Sequence, residues 1–176
     1  MKRPGKPTLV IAGILLLIAI LLPQVVSAGW HIVHGRTVNY RAWKITVPFG
    51  WYAMKRDDGM TVERMSELSW QKGPVAMFQP LHFAKTFPFS YDIYEKYNRA
   101  TLKAWDYTFV EQRDVKIAGK DGRCLTFNNL KNRDQVWISC VVPYDLTSAD
   151  YIGSKAYADE FLSFLTRTQR DSAASN

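Results

Sequence analysis

Histidine and cysteine are scarce in this chain, three and two of its 176 residues. A metal site built from imidazole and thiolate needs about four ligands. His31 and His34 have the i, i+3 spacing of neighbours on a helix face, but the third histidine, His82, is distant and no acidic or cysteine cluster adjoins the pair. No metal and no cofactor is expected, and His31 and His34 read as polar residues at a membrane interface. Nucleophile signatures are missing as well: there is no Gly-x-Ser-x-Gly and no His-Glu-x-x-His. Without Cys-x-x-Cys, redox catalysis by the thiols is not expected. Internal repeats, linkers and low-complexity tracts are absent, so one domain is the natural reading.

Acidic residues are missing from the N-terminus, where Lys2, Arg3 and Lys6 stand alone. Without these three, the net charge of +7 falls to +4 for the remainder, and that charge is scattered. A nucleic-acid binder concentrates its basic residues on one face or helix, so nucleic acid is not an expected partner. An apolar run follows from Thr8 to Leu22, fifteen residues containing only apolar residues, Gly and Thr. A bilayer-spanning helix needs about 20 residues. Two readings stay open. In one, the run is the core of a signal peptide, broken at Pro23-Gln24 and cleaved after Ala28, where Val26-Ser27-Ala28 offers small residues. In the other, the helix continues to Gly29 as an uncleaved anchor, the membrane is met by residues 8–28, and Trp30 lies at its interface. Both hold the N-terminus in the cytoplasm and place the rest outside it. The expected layout is a targeting segment over 1–29, a juxtamembrane stretch over 30–35, one α/β domain over 36–170 and a frayed polar tail over 171–176.

Beyond Arg36 the pattern is one of strands and turns. Val38 to Val47 reads as a single strand ended by Pro48, with Phe49-Gly50 as a turn. Strands are also expected from Trp51, over Met60–Met65 after the turn Asp57-Asp58-Gly59, and over Val75–Phe83 with Pro80 marking an edge or bulge. The period becomes helical from Ser90 to Tyr107, with Ile93, Tyr97, Ala100 or Thr101, and Ala104 or Trp105 as the inward stripe and Glu95, Lys96, Arg99 and Lys103 outward. Ser90 and Asp92 are rival N-caps. Strands resume over Phe109–Ala118 and Arg123–Asn128, around a hairpin turn at Gly119-Lys120-Asp121-Gly122. That tetrad lacks the spacing and the following helix of a phosphate loop. Gln135–Pro143 is the next strand, and a short one is expected over Leu146–Gly153. Ser154 caps a last helix to about Arg170, with Tyr157, Phe161, Phe164 and Leu165 inward. Strands in runs joined by short turns give an α+β fold: an antiparallel sheet with helices packed on it, preceded by one hydrophobic helix.

This order, the opening Trp-Lys-Ile-Thr-Val-Pro-Phe-Gly-Trp (Trp43 to Trp51) and the aromatic closing helix resemble the PsbP-like superfamily, which includes photosystem II extrinsic proteins and the Mog-type Ran-binding proteins. The opening also looks like that of bacterial envelope proteins with an N-terminal membrane segment. The resemblance covers Arg36 to Thr168 and implies an α/β/α sandwich with a non-catalytic tendency. No functional residue of those families matches a position here.

Cys124 and Cys140 lie on consecutive expected strands. With Asn132 at the centre of a three-residue hairpin, each residue i faces 264 − i, so Cys124 meets Cys140 and Phe127 meets Trp137. In an exported domain the pair is expected to be a structural disulfide, two buried thiols being the alternative. The acids Asp57-Asp58, Asp145, Asp150 and Asp159-Glu160 are spread through turns and helix faces, and nothing marks a catalytic pair. Tyr91, Tyr94, Tyr97 and Tyr107 read as helix-face core or, more sharply, as the rings of a ligand groove. The expectation is a non-enzymatic extracytoplasmic module that binds or supports an envelope component. The contrasting readings are a small-ligand or lipid-binding module with an aromatic cleft, and an enzyme without a recognisable motif. A deep apolar pocket with convergent polar groups separates ligand binding from protein docking on a flat aromatic patch.

Overall fold

A computed structural model describes residues 6–64, 73–81 and 89–170. The expected tail, His82, Phe83 and Met65 lie outside these residues. Helix α1 (Lys6–His34) comes first. Among the described residues no single helix is long and apolar enough to cross a membrane; Val10–Leu22 and Gln24–His34, bent 47° to one another, are so together by length and composition. The bend falls at Pro23, which removes a backbone donor from the helix.

Ten strands and two more helices follow: β1 (Thr37–Tyr40), β2 (Trp43–Thr46), β3 (Trp51–Lys55), β4 (Met60–Arg64), β5 (Val75–Pro80), α2 (Tyr91–Ala104), β6 (Tyr107–Ile117), β7 (Lys120–Asn129), β8 (Gln135–Val142), β9 (Thr147–Ser154), α3 (Ala158–Thr166) and β10 (Gln169–Arg170). The fold is α+β, with two antiparallel sheets. The larger runs β3-β4-β5-β9-β8-β7-β6, so β9, the last of its strands in sequence, stands fourth of seven, at the centre. The smaller runs β1-β2-β10.

Both faces of the large sheet are covered. Ala149 and Tyr151 of β9, with Phe78 of β5 and Ile138 of β8, pack against Phe161, Phe164 and Leu165 of α3 and against Trp43 and Ile45 of the small sheet. Ring pairs such as Trp51–Phe164 at 5.9 Å and Phe161–Phe164 at 5.4 Å interlock edge to face there. On the opposite face, Tyr94 and Leu102 of α2 pack with Tyr107, Leu125, Phe127 and Val141. Successive residues of β7 serve opposite cores, as period-2 geometry requires: Cys124 faces α3 and Leu125 faces α2.

Several elements depart from the sequence reading. The stretch expected as one strand over Val38–Val47 is the hairpin β1–β2, because Arg41 turns the chain at φ 53°; the two turn residues, Arg41 and Ala42, are neither Gly nor Asn, and the nearby Asn39 is paired in β1. The turn placed at 119–122 is the two-residue connection Ala118-Gly119, both with positive φ, so Lys120 and Asp121 already belong to β7. Gly122 sits inside that strand, where an added Cβ would lie 2.7 Å from the Val141 carbonyl oxygen. The α2 stripe has the right period and the wrong phase. Tyr94 and Leu102 are buried, whereas Ile93 and Tyr97 are 48% and 59% exposed. Ser90 occupies the N-cap position but makes no side-chain capping bond. The last helix ends at Thr166, and the chain then adds β10 to the small sheet.

The β7–β8 register follows the 264 − i rule throughout, with Cys124 opposite Cys140 and Phe127 opposite Trp137. The connection is five residues long and is held by Asn129, whose Oδ1 accepts from the N–H groups of Lys131 and Asn132. Cys124 and Cys140 form a disulfide, their Cα atoms 3.9 Å apart. Phe127 and Trp137 spend their rings on other partners, Phe109 and Trp105. Closing a loop of this size constrains the unfolded chain by roughly 3 kcal/mol, less where the hairpin persists on unfolding. Accordingly, reductant should lower the unfolding free energy of the parent protein, read from urea titration, by up to that amount, with a matching fall in midpoint, and leave a Cys124→Ser, Cys140→Ser variant unchanged. A parent midpoint indifferent to reductant contradicts the bridge.

Candidate functional site

The polar side chains of β9 alternate with its apolar ones, so Ser148, Asp150 and Ile152 share the face that looks toward α2. Met77 and Gln79 of β5 and Trp137 and Ser139 of β8 lie beside them on that face. From above, α2 contributes Tyr94, Tyr97, Asn98, Thr101 and Leu102. Between the two layers is a cavity of about 580 Å³, with Pro80, Leu81 and Trp105 completing its described wall. Its mouth carries Tyr97 and Trp105, and its floor carries Tyr94, Trp137 and Asp150. Trp105 and Trp137 are 5.5 Å apart at a tilt of 44°.

A polar chain runs through the floor. Ser139 donates its hydroxyl to Asp150 Oδ1 in a short bond. Ser139 has one proton to give, so the Tyr94 hydroxyl, 2.6 Å away, donates to Ser139 Oγ. Gln79 Nε2 and the Ser148 hydroxyl each approach Asp150 Oδ2 at 3.2 Å. The Trp137 indole N–H is buried without a hydrogen-bond partner. Even so it lies near enough to Asp150 to favour the charged carboxylate.

Asp150 is 4% exposed in the central strand, and the groups that bond it are neutral. Burial raises its carboxyl above the ordinary range, against the opposing pull of Ser139, Ser148, Trp137 and Gln79. Tyr94 is raised well above the usual phenol range by burial and then by the charge of Asp150. The described lining of the cavity holds no lysine, arginine or histidine.

A larger cavity of about 850 Å³ opens by the β4–β5 end of the sheet, but the charged pair in its wall, Arg56 and Glu63, is joined at 3.4 Å, and the third charged residue there, Asp134, is exposed. Its described wall has no buried charge in search of a partner. The histidines serve the junction between α1 and the sheets. His31 brings one ring nitrogen to Pro48 O and the other to Gly35 O, each at 3.1 Å. His34 stacks on Trp30 at 5.1 Å. Among the described residues no three His, Cys, Asp or Glu side chains cluster.

Of the four tyrosines singled out in the sequence, Tyr94 and Tyr97 reach the cleft, while Tyr107 packs in the core under α2 and Tyr91 lies beneath the Arg123 guanidinium. Sequence reading passed over Asp150, Ser139 and Ser148 as site residues. Their signal is a polar stripe at period 2, Ser148 and Asp150 alternating with Ala149 and Tyr151, in a strand that turns out to be central.

No family model matches the chain, and no curated protein matches it in sequence. In fold it is similar to cyanobacterial PsbP (CyanoP) from Synechocystis sp. PCC 6803, known from a solution structure, at a TM-score of 0.50 and 7% identity over 74% of this chain and 88% of that one. At that identity the likeness is one of fold: the domain is PsbP-like in architecture.

The raised Asp150 carboxyl sets a direction for stability. A group whose folded pKa exceeds its unfolded value, near 3.8, contributes fully below that value, and the contribution is lost as pH rises through the folded pKa. Asp150→Asn removes this dependence. In urea titrations the variant should therefore gain on the parent as pH is raised from about 4 to about 8. A difference that stays constant with pH contradicts an uncompensated buried acid.

Proposed function

We propose that this chain is a non-enzymatic binding module of the cell envelope, held to the membrane by an uncleaved α1, with the aromatic cleft beneath α2 as its ligand site. The observation that carries the reading is the convergence of Asp150, Ser139, Ser148 and Tyr94 on the floor of an otherwise apolar, ring-lined cavity. Such a site is concave and mostly apolar, with a few placed polar groups, and it suits a small amphipathic ligand better than a flat protein surface. The PsbP-like architecture, with its non-catalytic tendency, supports a binding or accessory role.

Retention of α1 is supported by how its last turns join the domain. Ser27 is 1% exposed; its hydroxyl donates to Trp51 O at 3.1 Å and accepts from the Gly50 N–H at 2.9 Å. Trp30 Nε1 donates to Ala53 O at 3.0 Å. Cleavage after Ala28 would strip Ser27 from this joint and leave the Gly50 N–H without its acceptor, at a cost of about 1–3 kcal/mol if that group stays buried. Val10, Ile11, Ile14, Leu15, Leu16, Leu17, Ile18, Ile20 and Leu21, by contrast, are exposed apolar side chains of the kind that suits a bilayer. The basic N-terminus supports a cytoplasmic start and an extracytoplasmic domain.

Two measurements test these statements. The intact mass of protein extracted from membranes should correspond to a chain that retains residues before Gly29; a mature chain beginning at Gly29 overturns the tether. For the cleft, the full chain in nonionic detergent is screened against water-soluble amphipathic compounds by its tryptophan indole resonances. Ligands should move Trp105 and Trp137 and leave Trp43 and Trp51, on the far side of the sheet, in place. Thr101→Trp, which fills the cavity from α2, should abolish the response. Compounds that move none of these indoles, or all of them alike, contradict the site.

A further inference from the structure

We infer that the cleft selects an organic ammonium ion, its alkyl groups against the rings and its charge above Asp150. This deepens the cleft reading and rests on it. Three observations fix the charge and form of the occupant. The first is the acid itself. Asp150 is 4% exposed in the middle strand of seven, and its hydrogen-bond donors, Ser139, Ser148 and Gln79, are all neutral. Buried carboxylates are ordinarily paired with a cation, and here the described lining supplies none. A cation that enters the cavity completes the pair in a medium where Coulomb attraction is weakly screened, and need not touch the carboxylate to do so.

The second observation is the wall. Tyr94, Tyr97, Trp105 and Trp137 surround the space above the acid. The faces of such rings are negative, and indole is the best of them for holding a cation stripped of part of its water. Alkylated ammonium ions lose the least on leaving water and gain apolar contact with the same rings. The third is exclusion. An anion would meet an acid and four aromatic rings with no basic side chain among the described lining residues, and a bare metal ion would find one carboxylate where it needs several oxygen or nitrogen ligands. A neutral apolar molecule would fit the rings and leave Asp150 as it was.

Choline and 3,3-dimethylbutan-1-ol have nearly the same shape and differ by the positive charge, so their ratio isolates the inference. Both are titrated into the full chain in nonionic detergent, with dissociation constants read from the indole resonances of Trp105 and Trp137. Phosphocholine is a third arm that separates a lipid headgroup from a free amine. Choline or phosphocholine should bind at least about tenfold more tightly than the alcohol. In Asp150→Asn that preference should shrink to about threefold or less. If the variant fails to fold, the ratio in the parent protein decides alone. Equal binding of choline and alcohol overturns the ammonium inference and leaves a neutral-ligand cleft standing. No movement of either indole with any of the three compounds overturns the inference, and if the wider screen also leaves both indoles still, the cleft reading falls with it.

Discussion

One strand carries a contradiction that the remainder of the fold is arranged around. β9 is the last strand laid into the large sheet and the one at its centre, so both of its faces are covered. Toward α3 it offers Ala149 and Tyr151, which suit a core. Toward α2 it offers Ser148 and Asp150, which do not. A carboxyl group in that position costs free energy unless its oxygens are bonded, and β5, β8 and β9 each supply a donor: Gln79, Ser139 and Ser148. Helix α2 adds Tyr94 through Ser139. What this network satisfies is the hydrogen bonding of Asp150. Among the described residues it leaves the charge without a partner, and the helix above stands off far enough to leave space for one.

The two faces of the sheet divide the labour. The α3 face is packed with Trp43, Trp51, Phe78, Phe161 and Phe164, all essentially buried, and the disulfide lies on the same side. That face gives the sheet its rigidity, since interlocked rings leave little freedom for adjustment. The α2 face is smaller in its core and open at the end near β5 and β9, which is where the cleft lies. At the β3 edge, the last turns of α1 cover backbone that would otherwise be exposed and orient the domain relative to the apolar helix through Ser27, Trp30 and His31. A direct joint of this kind restricts tumbling of the domain in a way a flexible linker does not.

Much of the architecture was legible because the patterns that encode it are local. Turn residues, alternating strands and a 3.6-residue period gave the α+β class and nearly every element of the large sheet. The β7–β8 register followed from numerical symmetry about Asn132, even though the connection is longer than a three-residue turn. What was missed depends on non-local pairing. Nothing in Leu146–Gly153 says that it is inserted between β5 and β8, so Asp150 read as one scattered acid among several. The phase of α2 was set about one residue off: Tyr97, Thr101 and Trp105 of the expected stripe do border the cleft, but the positions the sheet buries are Tyr94 and Leu102, and Ile93 is left exposed. The hairpin at Arg41 had no turn residue to mark it. The reading of Tyr94 and Tyr97 as groove rings was recoverable from sequence; the acid beneath them was not.

The central claim is that Asp150 is a buried acid with no charge partner among the described residues, and that its partner is a cation from outside the chain. It is tested most directly by following the side-chain carboxyl carbon of Asp150 by ¹³C NMR as pH is varied, in the full chain with and without choline. The account predicts a midpoint above the ordinary carboxylate range in the free protein that moves down when the ammonium ion is present, because a ligand that favours the charged form must lower the pKa it is linked to. A midpoint in the ordinary range, indifferent to the ligand, would contradict it.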